Sequence, residues 1–202
     1  MQADCAEGMT MSVETTVGQR PKRADARRNY DALLAAAREA FRRHGTDATL
    51  EEIARDAGVG IGTLYRNFPT RLALAETVYS EDVDALATAA KDAVAKLPAW
   101  DALTTWVEQW VDVASSKRVI VAELTDAVGK DSSVVSYCRD SMRDSANLVL
   151  SNAQDAGVAR TDIGASDLMR LIASILHLPN PDPDQVRRLR GVVLDGIKVD
   201  GN

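Results

Sequence analysis

Apolar residues in this 202-residue chain recur at helical spacing almost from end to end, and period-two alternation of β-branched residues never lasts more than a few positions. That rhythm removes sheet-based cores and leaves packed helices. Aromatic residues make up only 4% of the chain while Ala, Leu and Val abound, which suits helix-on-helix contact. The first helix is expected from about Ala24 or Asp25 to His44, with Tyr30, Leu33, Leu34, Ala37 and Phe41 on one stripe and Gly45 as a left-handed cap. Thr49 and Glu52 read as a capping box that opens a short helix ending at Ala57-Gly58. Another spans about Gly60 to Asn67, and Pro69-Thr70 then breaks the chain and caps a long helix from Arg71 to Leu97. Beyond Pro98 the pattern predicts helices over Asp101–Ser115, Arg118–Val128, Ser132–Ala156 (capped by Asp131) and Ala165–Leu178. Pro179-Asn180-Pro181-Asp182-Pro183 is a breaker, with Asp182 as N-cap and Pro183 opening a last helix that runs to Ile197.

Charge is divided between two regions. The whole chain carries −6, yet Arg20–Leu72 holds eleven Lys/Arg against seven Asp/Glu, while the remainder carries −10. A basic head on an acidic body suits a protein that meets phosphate with one end only. Met1–Gln19 has acidic residues and no apolar stretch, so it reads as a disordered tail and not as a secretory signal. The apolar runs are too short to cross a bilayer. Cys5 and Cys138 lie far apart and ask for no oxidising compartment, so no membrane partner and a cytoplasmic location are expected.

Residues 49–68, T-L-E-E-I-A-R-D-A-G-V-G-I-G-T-L-Y-R-N-F, describe two short helices joined by a tight turn at Ala57-Gly58-Val59. Gly58 supplies a left-handed conformation there without a Cβ penalty. Leu50, Ile53, Ala54, Val59, Leu64 and Phe68 would close a small core against Leu34, Ala37 and Phe41, which leaves Ile61, Thr63, Tyr65, Arg66 and Asn67 facing outward. Gly60 and Gly62 would let the second helix lie deep in a major groove, its side chains at the base edges.

The segment resembles the TetR family of bacterial transcriptional regulators. Thr49, Glu52-Ile53-Ala54, Ala57-Gly58-Val59, Gly62-Thr63-Leu64-Tyr65, Phe68, Pro69-Thr70-Arg71 and Leu74 carry the likeness, which is specific over about Arg27–Val78. It implies that Thr49, Tyr65 and Arg71 touch phosphates and that Thr63 and its neighbours see bases of double-stranded DNA. Two positions depart from the family pattern: Arg71 stands where Lys is common, and Asn67 where His or Tyr is common.

The expected organisation is all-α. A tail (1–20) precedes a three-helix helix-turn-helix head (21–70), which a long fourth helix joins to a helical regulatory and dimerisation body (71–202). In the body, Trp106, Trp110, Tyr137 and Met142 either fill a bundle core or line a pocket for a small apolar or aromatic effector. Leu168, Leu171, Ile172, Ile175 and Leu176, then Val186, Leu189, Val192, Val193 and Ile197, form two wide stripes on the last two helices. They either cap the body's own core or, as the resemblance implies, pair across a homodimer seam, with Leu168, Ile172, Ile175, Leu176, Val186, Leu189, Val193 and Ile197 as its expected residues. The expected activity is repression from a pseudo-palindromic operator, relieved when an effector shifts the spacing of two heads. A DNA-binding regulator without a ligand and a helical enzyme are the alternatives. No cofactor is expected: Gly58-x-Gly60-x-Gly62 lacks a preceding strand, His44 and His177 have no ligands at metal spacing, and no Gly-x-Ser-x-Gly elbow occurs.

Overall fold

The computed structural model describes residues 21, 23–128, 132–178 and 182–199, without the side chains of 116–126 and 128. The tail with Cys5, the Asp131 cap and the breaker at 179–181 lie outside the described residues. Among the described residues eight α-helices follow in order: α1 Ala24–His44, α2 Leu50–Asp56, α3 Ile61–Asn67, α4 Arg71–Lys96, α5 Ala99–Val128, α6 Ser133–Asp155, α7 Ala165–Leu176 and α8 Pro183–Ile197. A single 3-10 turn, Gly45–Asp47, follows α1. The all-helical expectation holds among the described residues, where the one extended contact is an isolated bridge between Ala159 and Lys198.

Two expectations along the chain are corrected. Asp101–Ser115 and Arg118–Val128 are one helix, α5, because Ser116-Lys117 contains neither Gly nor Pro and nothing interrupts the backbone ladder. The cap of α6 is Ser132, whose Oγ accepts from the Val135 amide at 3.2 Å. Asp182 does cap α8, accepting from the Asp184 amide at 3.3 Å with Pro183 in the first turn.

Two apolar cores form, and α4 belongs to both. The head core joins Tyr30, Leu33, Leu34 and Phe41 of α1 to Ile53, Leu64 and Phe68, and takes in Leu74 and Val78 from the first turns of α4. The Tyr30 and Phe68 rings meet at 5.1 Å in a tilted pair. Further along α4, Val83, Leu86 and Ala90 face the body core with Trp106, Trp110, Cys138, Met142, Leu150, Leu168 and Ile172. Tyr79 packs against both cores. Arg38 of α1 reinforces the junction, its Nε donating to Asp82 at 2.8 Å and its Nη2 to Glu81 at 2.9 Å.

Body packing is tight where its largest side chains sit. Trp106 is fully buried, its indole N–H donating to the Leu86 carbonyl at 3.1 Å, so the ring brings no unmet polar group into the core. Cys138 is also buried, and desolvation pushes its thiol up to about 12, which leaves it a small inert apolar residue. The end of α8 and Val199 just after it are clasped to the α6–α7 loop: the Arg160 amide donates to the Ile197 carbonyl at 2.9 Å and the Val199 amide to Val158 at 3.1 Å. Lys198 then covers the Trp100 ring at 5.3 Å, a cation–π contact.

Candidate nucleic-acid interface

The α2–turn–α3 unit is built by its caps. Thr49 Oγ1 accepts from the Glu52 amide at 3.2 Å and starts α2, a contact of about 1 kcal/mol. The expected capping box is only half drawn, because the Glu52 carboxylate turns to His44 Nε2 at 3.5 Å. Gly58 stands at φ 68°, with its amide on the Arg55 carbonyl and the Val59 amide on Ala54, both at 3.0 Å. A side chain there would be strained by the backbone itself. Gly45 likewise needs its missing Cβ: at φ 55° and ψ −123° it lies outside the left-handed helical basin where the cap was expected.

α3 buries only Leu64, which anchors it on the head core beside Phe68. Everything else on it faces away or lies half-covered. Ile61 is 38% and Tyr65 46% exposed, large values for such side chains. Arg66 is exposed and donates through Nη2 to Thr63 Oγ1 at 2.9 Å, while Asn67 Nδ2 donates to the Thr63 carbonyl at 2.8 Å. The outward set expected from the sequence, Ile61, Thr63, Tyr65, Arg66 and Asn67, thus shares one short helix. Thr63 and Asn67 are partly withdrawn into its own hydrogen bonds.

Gly60 and Gly62 present a different problem. Neither has a positive φ, and a Cβ built on either would meet no protein atom within 4 Å. Gly60 is the N-cap of α3, a position that favours glycine over alanine. Nothing inside the fold asks for glycine at Gly62, in the first turn of α3, where it costs up to roughly 0.5–1 kcal/mol against alanine. The space they leave open lies outside the molecule, beside Ile61.

Arg71, for which the resemblance implies a phosphate, turns inward. Its Nη1 donates to the Ala48 carbonyl and its Nη2 to that of Gly45 at 3.1 Å, and the guanidinium covers the Phe41 ring at 4.9 Å. Nearby on α1, hydrogen bonds from Arg42 and then Arg43 hold the exposed Glu39 carboxyl down to about 2.

Several expectations for the body are corrected. Trp106, Trp110 and Met142 are buried together, the two indoles 5.6 Å apart, but Tyr137 does not join them. It is 52% exposed because Val134, Cys138 and Met142 are the residues of α6 that face inward, and its hydroxyl donates to Asp84 at 2.5 Å. Tyr137 instead lines a surface groove of about 360 Å³ between α4 and α6, with Ala87, Lys91, Ser141 and Leu148.

The expected seam also divides. Leu168, Ile172, Ile175 and Ile197 are buried in their own chain's core, so none of them is available to a second copy. Leu176, Val186, Leu189 and Val193 are half-buried at its edge. Leu171 at 44% and Val192 at 68% exposure are the members of those two stripes that face outward. Their stripe was too wide for one helix face, which was the signal that some of its members point elsewhere. Glu76 was missed as well: it is 1% exposed, and its Oε2 has no hydrogen-bond partner. Its place one turn before Tyr79 and two before Val83, on the body-facing stripe of α4, was the clue.

A supported, glycine-notched helix on a helix-turn-helix scaffold defines the class: a DNA-binding transcriptional regulator. Residues 33–78 match the model described as bacterial regulatory proteins of the TetR family. Residues 98–199 match a second, described as the C-terminal domain of SbtR-like transcriptional regulators. The chain is similar to a solved TetR transcriptional regulator from Streptomyces coelicolor, at 38% identity and a TM-score of 0.72 over 83% of this chain and 97% of that one. A TetR regulatory protein from Mycobacterium vanbaalenii gives 29% identity and a TM-score of 0.72, covering 89% and 100%. An HTH-type transcriptional regulator from Staphylococcus aureus is 25% identical over 58% of this chain, and the match spans 64% of its length, less than two thirds. The chain belongs to the TetR family of transcriptional regulators. Among the described residues no helix is long and apolar enough to cross a membrane.

Proposed function

We propose that the chain acts as a homodimeric repressor that lays α3 in the major groove of a pseudo-palindromic operator. One observation carries the reading: Gly62 sits where the protein itself has no need of glycine, next to the N-cap Gly60, on the exposed helix that presents Ile61, Tyr65 and Arg66. A bare backbone there lets a duplex approach closely. Thr63, Arg66 and Ile61 then stand at base edges, and Thr49, Tyr65 and Asn67 flank them toward the phosphates. Exposed Leu171 and Val192 on α7 and α8 support a seam between two copies.

The test is selection of bound duplexes from a random pool, with light scattering on the free protein. Two related half-sites about one helical turn apart and a mass of two chains are the expected result. A pool that stays random overturns the operator reading.

A second reading, regulation without a small molecule, is favoured by the packing of Trp106, Trp110 and Met142 against one another. An apolar or aromatic effector in the body would have to displace that packing or enter elsewhere, and would act by binding one head spacing better than another. Calorimetry with a panel of apolar and aromatic compounds separates the two readings: a heat of binding that also weakens duplex affinity restores the sensor.

A further inference from the structure

Resting on the DNA-binding reading, we propose that Arg71 is a positioning residue: a latch that ties the α1–α2 connection to the start of α4 and so fixes the pose of α3, and that it is not a phosphate ligand. The guanidinium is half-buried, and its planar fork reaches two carbonyls of one short segment, Gly45 and Ala48. Those carbonyls open and follow the 3-10 turn, where the chain leaves α1 and the turn's own bond, from the Ala48 amide to the Gly45 carbonyl, is long at 3.5 Å. The face of the same guanidinium lies 4.9 Å from the ring centroid of Phe41, which is buried in the head core. Two hydrogen bonds and a ring contact thus converge on one cation. To reach a phosphate it would have to give up the Ala48 carbonyl, leave the Gly45 carbonyl only the Ala48 amide at 3.5 Å, and uncover an aromatic face, while Arg66, bonded to Thr63 through one nitrogen, stands exposed on α3 for outward contacts.

The position of the latch makes the tie consequential. Arg71 is the first residue of α4, the helix that continues into the body core. The 3-10 turn it grips also packs against α5, with His44, Gly45 and Thr46 bordering the same surface groove as Asp112 and Ser115. One side chain therefore holds head, long helix and body in register at their common corner. Lysine cannot substitute, because an ammonium is a point charge that neither forks to two carbonyls nor stacks flat on a ring.

The test compares wild type, Arg71→Lys and Arg71→Met in three measurements, well below any melting transition. These are affinity for a mixed-sequence 30-base-pair duplex, the slope of that affinity with salt, and amide exchange across the chain. A latch predicts that both variants lose roughly tenfold or more in affinity with the salt slope unchanged. It also predicts faster exchange at the amides of 45–53, with the amides around Trp106 and Leu150 as protected as before. A phosphate contact predicts near wild-type affinity for Arg71→Lys, and for Arg71→Met a slope lower by about one; that result overturns the proposal. Equal loss of protection in head and body, with duplex affinity intact, also overturns it, because the residue would then only stabilise the fold. Should wild type fail to bind the duplex, the DNA reading falls, and exchange at 45–53 in Arg71→Lys still decides whether the latch exists.

Discussion

Arg66 and Thr63 form one unit on α3: the threonine hydroxyl accepts from the arginine fork at 2.9 Å, one turn back along the helix. The bond leaves the remaining donors of the guanidinium pointing away from the fold. A pre-set arginine fork suits guanine, whose O6 and N7 accept side by side in the major groove. Arg66→Ala is expected to cost about 1–3 kcal/mol and to relax one base-pair position. Thr63→Val should blur the same position while leaving the others alone. Motifs selected from random duplexes check both, and an unchanged logo for Arg66→Ala would return Arg66 to the status of a solvated charge.

Gly62→Ala is expected to move stability and binding in opposite directions. The protein has room for the methyl and the helix prefers alanine, so unfolding should cost roughly 0.5–1 kcal/mol more. Duplex affinity should fall severalfold if, as proposed, the open space that the new carbon enters is where DNA approaches. Gly58→Ala is the control: at φ 68° it should destabilise by about 1 kcal/mol. Chemical denaturation alongside duplex titration measures both, and a Gly62→Ala protein that binds as well as wild type would remove the case for close approach.

The α7–α8 face yields a prediction in two halves. Val192→Glu or Leu171→Glu should give a folded monomer, because a charge cannot be desolvated across an apolar seam. Ile172→Glu should instead unfold the body, since that side chain is wholly buried within one chain and an unpaired buried charge costs several kcal/mol. Light scattering with circular dichroism distinguishes the two outcomes. Two folded dimers from the outward substitutions would place the seam elsewhere.

Glu76 predicts a pH dependence. Burial raises its carboxyl above the ordinary range, so the native chain keeps a proton that the unfolded chain releases. The sign follows: this group's contribution to stability falls as pH rises from about 4.3 toward the raised value, and the full penalty holds above it. Glu76→Gln should therefore be more stable than wild type at neutral pH, by roughly 1 kcal/mol or more, with the advantage fading in acid. Denaturant midpoints for the two proteins between pH 4 and 8 give the curve, and a flat difference would assign the ionised form a partner.

Much of this architecture was legible from residue spacing, and the exceptions share a cause. Period and caps located α1 through α4, and Gly58 announced its own backbone. Continuity of α5 was not legible, because the serine pair Ser115-Ser116 lowers helix propensity without breaking the backbone as Gly or Pro would. Leu168 and Leu171 are the same residue type three positions apart, yet one is fully buried and the other faces outward. Spacing identifies an apolar stripe but not which neighbour covers each part of it. The inward bonds of Arg71 were illegible for the same reason: the sequence shows a cation at a helix start, and only the fold shows two carbonyls within its reach.

Because α4 is shared by two cores without a break, it behaves as a drive shaft whose phase matters as much as its length. Each residue turns an α-helix by about 100° and advances it by about 1.5 Å. Inserting one alanine after Ser80, between the head's Val78 and the body's Val83, would twist one core against the other by that angle and tear Arg38 from Glu81 and Asp82. Seven inserted residues would return the phase to within roughly 20° while lengthening the shaft by about 10 Å. A chimera that grafts this head onto a foreign body must therefore be spliced within Tyr79–Asp82 and in helical register, or its two halves will each fold and face the wrong way.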